Sequence, residues 1–251
     1  MATRLFHISD VHFGVENRAA LACVEQAIAS ESPHALVCTG DLTQRATHKQ
    51  YKAAADWFSQ FDLPVWVDPG NHDMPYYNLW ERFTEPYRRY NALKDGVAVP
   101  TFETDDLVLI PLKTTVRSQK RWPWSDGVVT PSALEATLAM LDLFQEDTRL
   151  KVVTAHHPLH GPDPNKASPT IGGPEALEQL VDRGMNAIMS GHTHVPFNEH
   201  RTVGFRSAQM IGAGTLSTRL RHGAPASYNA LSYQSGDNAI AVETRIVGEA
   251  V

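Results

Sequence analysis

Short apolar runs separated by amphipathic stretches constrain this chain more than any other feature. Runs at 5–8, 35–38 and 65–67 are divided by helical patterns at 18–29 and 48–61. A strand lying parallel to its predecessor needs a long crossover, usually a helix, so these segments predict β-α-β units and a sheet that is at least partly parallel. Beyond Pro100 the pattern changes. Residues 102–104 and 107–112, split by Asp105-Asp106, predict a β-hairpin, which makes the topology mixed. A Thr130 cap followed by Pro131 opens a helix over 131–144, with Leu134, Leu138, Leu141 and Phe144 at helical spacing. Strand 152–153, helix 174–181 and strand 187–189 repeat the β-α-β logic, and 207–247 predicts antiparallel strands. Two stretches, 113–129 and 158–173, carry no regular pattern, the second punctuated by Pro162-Asp163-Pro164-Asn165. Loops this long in a compact domain are usually functional or mobile.

With 251 residues the chain can bury one substantial core, as one domain or two fused halves. Its 22 basic and 28 acidic residues are interspersed, and a net charge of −6 gives no basic path for a nucleic-acid strand or a membrane surface. Small anionic substrates stay open, because bound metal outweighs net charge locally. No apolar run approaches the ~20 residues that span a bilayer. The N-terminus reads directly into the first motif without an apolar leader core, so the cytoplasm is the expected location. Cys23 and Cys38 stand in no paired spacing, which excludes a disulfide framework or zinc finger and leaves both to pack.

The chemistry-bearing residues all follow predicted strands. Asp10 and His12 follow the first, Asp41 the second, Asn71-His72-Asp73 the third, His156-His157 a later one and Gly191-His192-Thr193-His194 the next. The carboxyl ends of neighbouring strands in an α/β sheet converge on one edge, so distant side chains can share a site there. Singly, each histidine reads as a hydrogen-bonded surface or core residue. Together, carboxylates, a carboxamide and imidazoles suit manganese, iron, zinc or a related divalent ion. Using them all takes two ions, ~3.5–4 Å apart, with one carboxylate shared.

Asp10-Val11-His12, Gly40-Asp41, Gly70-Asn71-His72-Asp73, the strand-terminal His156 and Gly191-His192-Thr193-His194 occur in this order. In these blocks the sequence resembles the calcineurin-like metallophosphoesterase family, and is most similar to its bacterial class III cyclic-nucleotide phosphodiesterase branch. The resemblance implies an α/β fold, a four-layer αββα sandwich of two mixed β-sheets flanked by helices, with 1–251 as a single domain. It also implies two divalent ions, foremost Mn and/or Fe, with Zn, Co or Mg as further candidates. Asp10, His12 and His194 would hold the first, Asn71, His156 and His192 the second, and Asp41 would bridge them. His72 would be catalytic rather than a ligand, stabilising charge on the phosphate or protonating the leaving alkoxide, and oriented by Asp73. Gly40, Gly70 and Gly191 precede ligands where the backbone must turn and approach closely. Between the adjacent His156 and His157 the residues leave the choice open, and the family pattern favours His156.

The implied reaction is hydrolysis of a phosphodiester, such as a 3′,5′-cyclic nucleotide, by a metal-bridging hydroxide attacking in line without a covalent intermediate. A phosphomonoesterase and a glycerophosphodiester or other small diester hydrolase are the alternatives. The family branch that cleaves UDP-diacylglucosamine has Arg where this chain has His72. A non-catalytic scaffold, like the retromer subunit of the family, predicts missing ligands, whereas every position is filled here. Lys113, Arg117, Lys120 and Arg121 beside Trp122 and Trp124 could pair phosphate charge and stack a nucleobase. The competing reading has the tryptophans packed on the body or in a subunit interface. His160 reads as an exposed loop residue, and a homo-oligomer is neither required nor excluded.

Overall fold

The computed structural model describes residues 2–161, 168 and 170–248. The Pro162-Asp163-Pro164-Asn165 punctuation lies outside the described residues. The chain runs β1 (Thr3–Ile8), α1 (Arg18–Glu31), β2 (Ala35–Cys38), α2 (His48–Phe58), β3 (Val65–Val67), α3 (Leu79–Thr84) and α4 (Arg88–Val97). It continues through β4 (Leu107–Pro111), β5 (Gly127–Val128), α5 (Pro131–Leu143), β6 (Leu150–Thr154), β7 (Thr170–Ile171), α6 (Gly173–Asp182) and β8 (Ala187–Ser190). Four strands follow: β9 (Phe197–Val203), β10 (Arg206–Gly212), β11 (Ser227–Tyr233) and β12 (Ala241–Ile246). Helix starts follow local chemistry. The Asn17 side chain accepts from Ala19 and Ala20 N–H, Thr47 and Gln50 form a capping box, and Thr130 caps α5. Each such cap stabilises by about 1 kcal/mol.

One sheet has the order β12-β11-β1-β2-β3 and the other β4-β6-β8-β10-β9. In the first, β1, β2 and β3 are parallel, β11 pairs antiparallel with β1, and β12 pairs antiparallel with β11. In the second, β4, β6, β8 and β10 are parallel and only the edge strand β9 is antiparallel. Alternate side chains go to opposite faces. Leu5, Val37 and Trp66 meet Leu109, Val152 and Met189 between the sheets. Phe6, Ile8, Leu36 and Cys38 pack outward against α1 and α2, and Ile110, Val153 and Ile188 against α5 and α6. Both faces are covered, which is why the central strands read as unbroken apolar runs. The result is the four-layer αββα sandwich of two mixed sheets. Among the described residues, no helix is long and apolar enough to cross a membrane.

Several sequence expectations change in detail. The 102–104/107–112 hairpin shrinks to one bridge, Glu103 to Val108, and the sheet partner of β4 is β6. The Thr104 hydroxyl accepts from Asp106 and Leu107 N–H, while Asp106 accepts from Thr3 and Ser235 N–H, so this turn is tied to the first sheet instead of extending a ladder. The helical pattern drawn to residue 61 stops at Phe58, and Phe61 N–H closes a turn on Phe58 O. β10, placed in the antiparallel tail, is parallel to β8. The two patternless stretches contain β5 and β7, which pair with each other in parallel.

Candidate dinuclear metal centre

The carboxyl ends of β1, β2 and β3 in one sheet meet those of β6 and β8 in the other. Asp10 N–H donates to Gly40 O at 3.0 Å and His12 N–H to Asp41 O at 2.9 Å, binding the first two loops together. His192 N–H donates to Asp10 Oδ2 at 2.8 Å, which joins the two sheets. The backbone at this edge is strained. Asp10, His12, Asp41, His192 and His194 have φ of 53°, 50°, 52°, 67° and 61°. Left-handed backbone costs a non-glycine residue roughly 1–2 kcal/mol, and such strain clusters where surrounding contacts over-determine it. Gly40, at φ 96°, could not carry a side chain, because a Cβ would lie 2.6 Å from His156 Nδ1. At Gly70 and Gly191 a Cβ would collide with the Asp41 and Ser9 loops.

All seven predicted ligands are brought to this edge. Asp10 Oδ1 lies 3.0 Å from His194 Nε2 and 3.6 Å from His12 Nε2. Asp41 Oδ2 lies between two groups, 3.6 Å from His12 Nε2 and 3.4 Å from His156 Nε2. Asn71 Oδ1 is 3.3 Å from His156 Nε2, and the His192 ring centroid is 5.3 Å from that of His156. Asp10, His12, Asp41, His156, His192 and His194 are buried.

These atoms fit cations for a chemical reason. His156 Nδ1 is 2.7 Å from Thr39 O and His194 Nδ1 is 2.6 Å from Arg219 O. A carbonyl only accepts, so each Nδ1 carries the hydrogen and the neutral ring turns its Nε2 lone pair inward. Those lone pairs face carboxylate oxygens and one another, with His12 Nε2 and His194 Nε2 3.3 Å apart. Asp10 Oδ1 is buried without a hydrogen-bond partner. Acceptors converging on acceptors call for positive charge between them. The electrostatics agree: burial opposes ionisation of Asp10 and Asp41, yet positive charge at the His194 position beside the first and at the His156 position beside the second holds both carboxyls well below the usual range. Burial likewise disfavours charge on His156, but the Asp41 carboxylate reverses this and lifts its pKa to about 9. A proton there stands where a cation fits.

His72 sits at the side of the cluster. Its N–H donates to Asp41 Oδ1 at 2.8 Å, its ring meets His12 edge-on, and its Nδ1 donates to Gln44 O at 2.8 Å. The expected orienting partner, Asp73, is elsewhere. Its carboxylate accepts from Leu42, Thr43 and Gly70 N–H and from the Thr43 hydroxyl, so it ties the Asp41 loop to the Gly70 loop. The 3₁₀ turn over Asn71–Asp73 sends the two adjacent side chains in different directions. His157 has both ring nitrogens engaged, 2.9 Å from Thr114 Oγ1 and 2.9 Å from Ser125 O, whereas His156 presents Nε2 to Asp41. His160 Nδ1 turns to Gly161 O. Trp122 and Trp124 stand exposed with ring centroids 5.6 Å apart. Three of the four nearby cations are engaged: Arg121 with Asp126, Arg117 with Phe83 O, and Lys113 over the Tyr87 ring. Sequence reasoning missed Gln44 and Arg219, single residues in loops without any motif.

An αββα sandwich that gathers six nitrogen- and oxygen-bearing side chains around one central carboxylate is the build of a dinuclear metallohydrolase. A family profile for calcineurin-like phosphoesterases matches residues 3–196. The chain belongs to that family and is a metal-dependent phosphoesterase. It is 28% identical over 215 residues to a probable cyclic nucleotide phosphodiesterase of Pseudoalteromonas sp. (strain SM9913), covering 78% of this chain and 73% of the relative. A similarly named Synechococcus sp. protein is 27% identical over 213 residues, covering 80% and 77%. In fold it resembles a dimetal phosphatase from Danio rerio, with a TM-score of 0.67 at 15% identity over 98% of this chain and 96% of the other. A purple acid phosphatase from yellow lupin gives 0.64 at 13% identity, over 99% of this chain and 52% of that one.

Proposed function

We propose that the protein hydrolyses a phosphodiester, with a 3′,5′-cyclic nucleotide as substrate, at two divalent cations. Asp10, His12 and His194 hold one, Asn71, His156 and His192 the other, and Asp41 is common to both. The observation that carries this reading is the single Asp41 oxygen lying 3.6 Å from His12 Nε2 and 3.4 Å from His156 Nε2. Bound there, the cations supply Lewis acidity toward phosphate oxygens and an activated water. A mixed oxygen and nitrogen donor set without thiolate favours Mn and/or Fe, with Zn, Co or Mg as further candidates.

The protein's own residues do the rest. Asp10 and Asp41, held ionised, balance the positive charge. The carbonyls of Thr39 and Arg219 fix the ring orientations of His156 and His194. His72 moves the leaving-group proton: its Nδ1 hydrogen is committed to Gln44 O, so Nε2 is the atom that meets the departing oxygen. The transferred proton is therefore the one Nε2 carries in the imidazolium form. Burial, by lowering the pKa of this ring, makes that form a stronger acid but a scarcer one, so Nε2 takes up its proton before the leaving group departs. Asp73 acts at one remove by fixing the loops that carry Asp41 and His72.

Support for a cyclic nucleotide comes from the two relatives whose names carry that activity. The test is kcat/KM of the Mn-reconstituted protein on cyclic AMP, cyclic GMP, a linear diester and a monoester. The cyclic nucleotides are expected to lead. A monoester that outruns every diester overturns the reading.

A further inference from the structure

Residues 213–221, after β10, belong to none of the motifs, yet they close over the centre. The Thr215 hydroxyl donates to Asp10 O at 2.7 Å and lies 2.8 Å from Ser217 Oγ, which in turn accepts from Arg219 N–H at 3.2 Å. Thr218 N–H donates to Val15 O, and Arg219 O takes the His194 Nδ1 hydrogen at 2.6 Å. The backbone of this loop is thus anchored to the Asp10 loop on one side and to a candidate ligand on the other.

The Arg219 side chain reaches back across the cluster. Its Nη1 is 3.1 Å from His72 Nε2, 3.3 Å from Gln44 Oε1 and 3.4 Å from His12 Nε2. Among the described residues no carboxylate lies within ion-pair distance of it; Asp41 and Asp10 act on it only through space, and Arg221 and Arg45 oppose them with positive charge. A half-buried guanidinium without a carboxylate in direct contact gains when an anion completes its surroundings. Of its five N–H groups only those on Nη1 have partners among these residues, which leaves Nε and Nη2 free for paired oxygens. The position beside His72 and His12 is where a phosphate oxygen would lie in the reaction proposed above.

Resting on that reading, we propose that Arg219 is a catalytic residue whose guanidinium donates to a non-bridging oxygen of the substrate phosphate and to the charge that builds on it during attack. The backbone and the side chain of this residue have separable tasks. The carbonyl that orients His194 survives any side-chain substitution, so bound metal is expected to survive as well.

The test uses the metal-loaded enzyme and its Arg219→Gln and Arg219→Lys variants, with three readouts: metal per chain, the dissociation constant for orthophosphate, and kcat/KM on a diester. Arg219→Gln should keep the wild-type metal content while weakening orthophosphate binding and lowering kcat/KM by about 10- to 100-fold, the size of a charge-assisted hydrogen bond. Arg219→Lys keeps the charge without the planar fork and should recover part of both losses. Orthophosphate affinity within about twofold of wild type, with metal retained, overturns the proposal. Loss of metal in both variants overturns it too, because the side chain then holds the centre together. Failure of the wild-type enzyme on every diester is a separate result and tells against the hydrolysis reading, while the orthophosphate comparison still decides the role of Arg219.

Discussion

At the floor of the centre, Asp10, His12, Asp41, His156 and His194 are buried and share one continuous set of hydrogen bonds and close polar contacts. The rim is formed by segments 76–83 and 117–125, which reach the centre's surroundings through Arg45 over the Tyr76 ring and Ser125 O beside His157 Nε2. There Tyr77, Trp80, Trp122 and Trp124 leave 71%, 80%, 78% and 75% of their surface in solvent. The floor gathers strained backbone and unneutralised charge, both costly, and holds them by over-determination. The rim forgoes roughly 1.5–3 kcal/mol for each large apolar side chain left unburied. Its two segments are latched together instead, through Arg82 Nε to Arg117 O at 2.8 Å and Arg117 Nη1 to Phe83 O at 2.7 Å. Rigid chemistry beneath and spare apolar area above is the division expected where reaction and substrate choice are assigned to different parts of one site.

The floor should fail abruptly. Asp41→Ala removes the oxygen common to both groups, and turnover is expected to drop to background with metal content falling alongside, as read by elemental analysis of the dialysed protein. Full metal occupancy in this variant would break the assignment of Asp41. His72→Ala is the next largest effect. It leaves the donors in place, so metal should stay near wild type while turnover falls about 10²- to 10⁴-fold, most for substrates with poor leaving groups. Identical losses for good and poor leaving groups would remove His72 from proton transfer.

Legibility in the sequence follows the same division. Asp10, His12 and Asp41 could be read because each follows an apolar strand and the parallel strand ends had to converge. The family pattern favoured His156 over His157, and the fold supplies a physical reason that the residues alone could not, since Thr114 Oγ1 and Ser125 O lie beside both nitrogens of the second ring. The α3 helix gave no amphipathic signal because it is inverted: Leu79, Trp80 and Phe83 are exposed, while Glu81 is buried, accepting from Arg88 Nη2 at 2.8 Å and Arg89 Nε at 2.9 Å. Edge strand β9 is polar along most of its length, so no apolar alternation marks it. Arg219 was invisible because its role comes from contacts spanning much of the chain, such as Thr215 to Asp10.

A third floor prediction concerns acid. His7 in β1 is fully buried, with Nε2 3.0 Å from Thr39 Oγ1 and Nδ1 unpartnered, and burial, opposed only in part by Asp10, lowers its pKa from 6.5 to about 3. Below pH 6.5 the unfolded chain therefore takes up a proton that the folded chain refuses, and stability falls as pH drops from 6.5 toward 3. His7→Gln, which keeps a polar group near Nε2, should flatten this limb by on the order of 3 kcal/mol between pH 6.5 and 4. Urea unfolding in the presence of chelator, so that metal loss does not enter, measures it. A wild-type slope retained in the variant would assign the acid limb to other groups.

The smallest effect belongs to the rim and decides whether it selects substrate at all. Trp122 and Trp124 bury little surface, so changing both to alanine should move stability by no more than about 0.5 kcal/mol. If a nucleobase stacks on them, KM for a cyclic nucleotide should rise about tenfold, within the ~1–3 kcal/mol of a base stacked on an aromatic ring. KM for a linear diester lacking a base should not move. That contrast separates stacking from general damage, since a disturbed floor would slow both substrates together. Unchanged kinetics on every nucleotide would leave the exposed pair without a part in substrate selection, and the contrast between floor and rim would then rest on the Tyr76–Tyr77 segment, where Arg45 lies 4.5 Å over the Tyr76 ring.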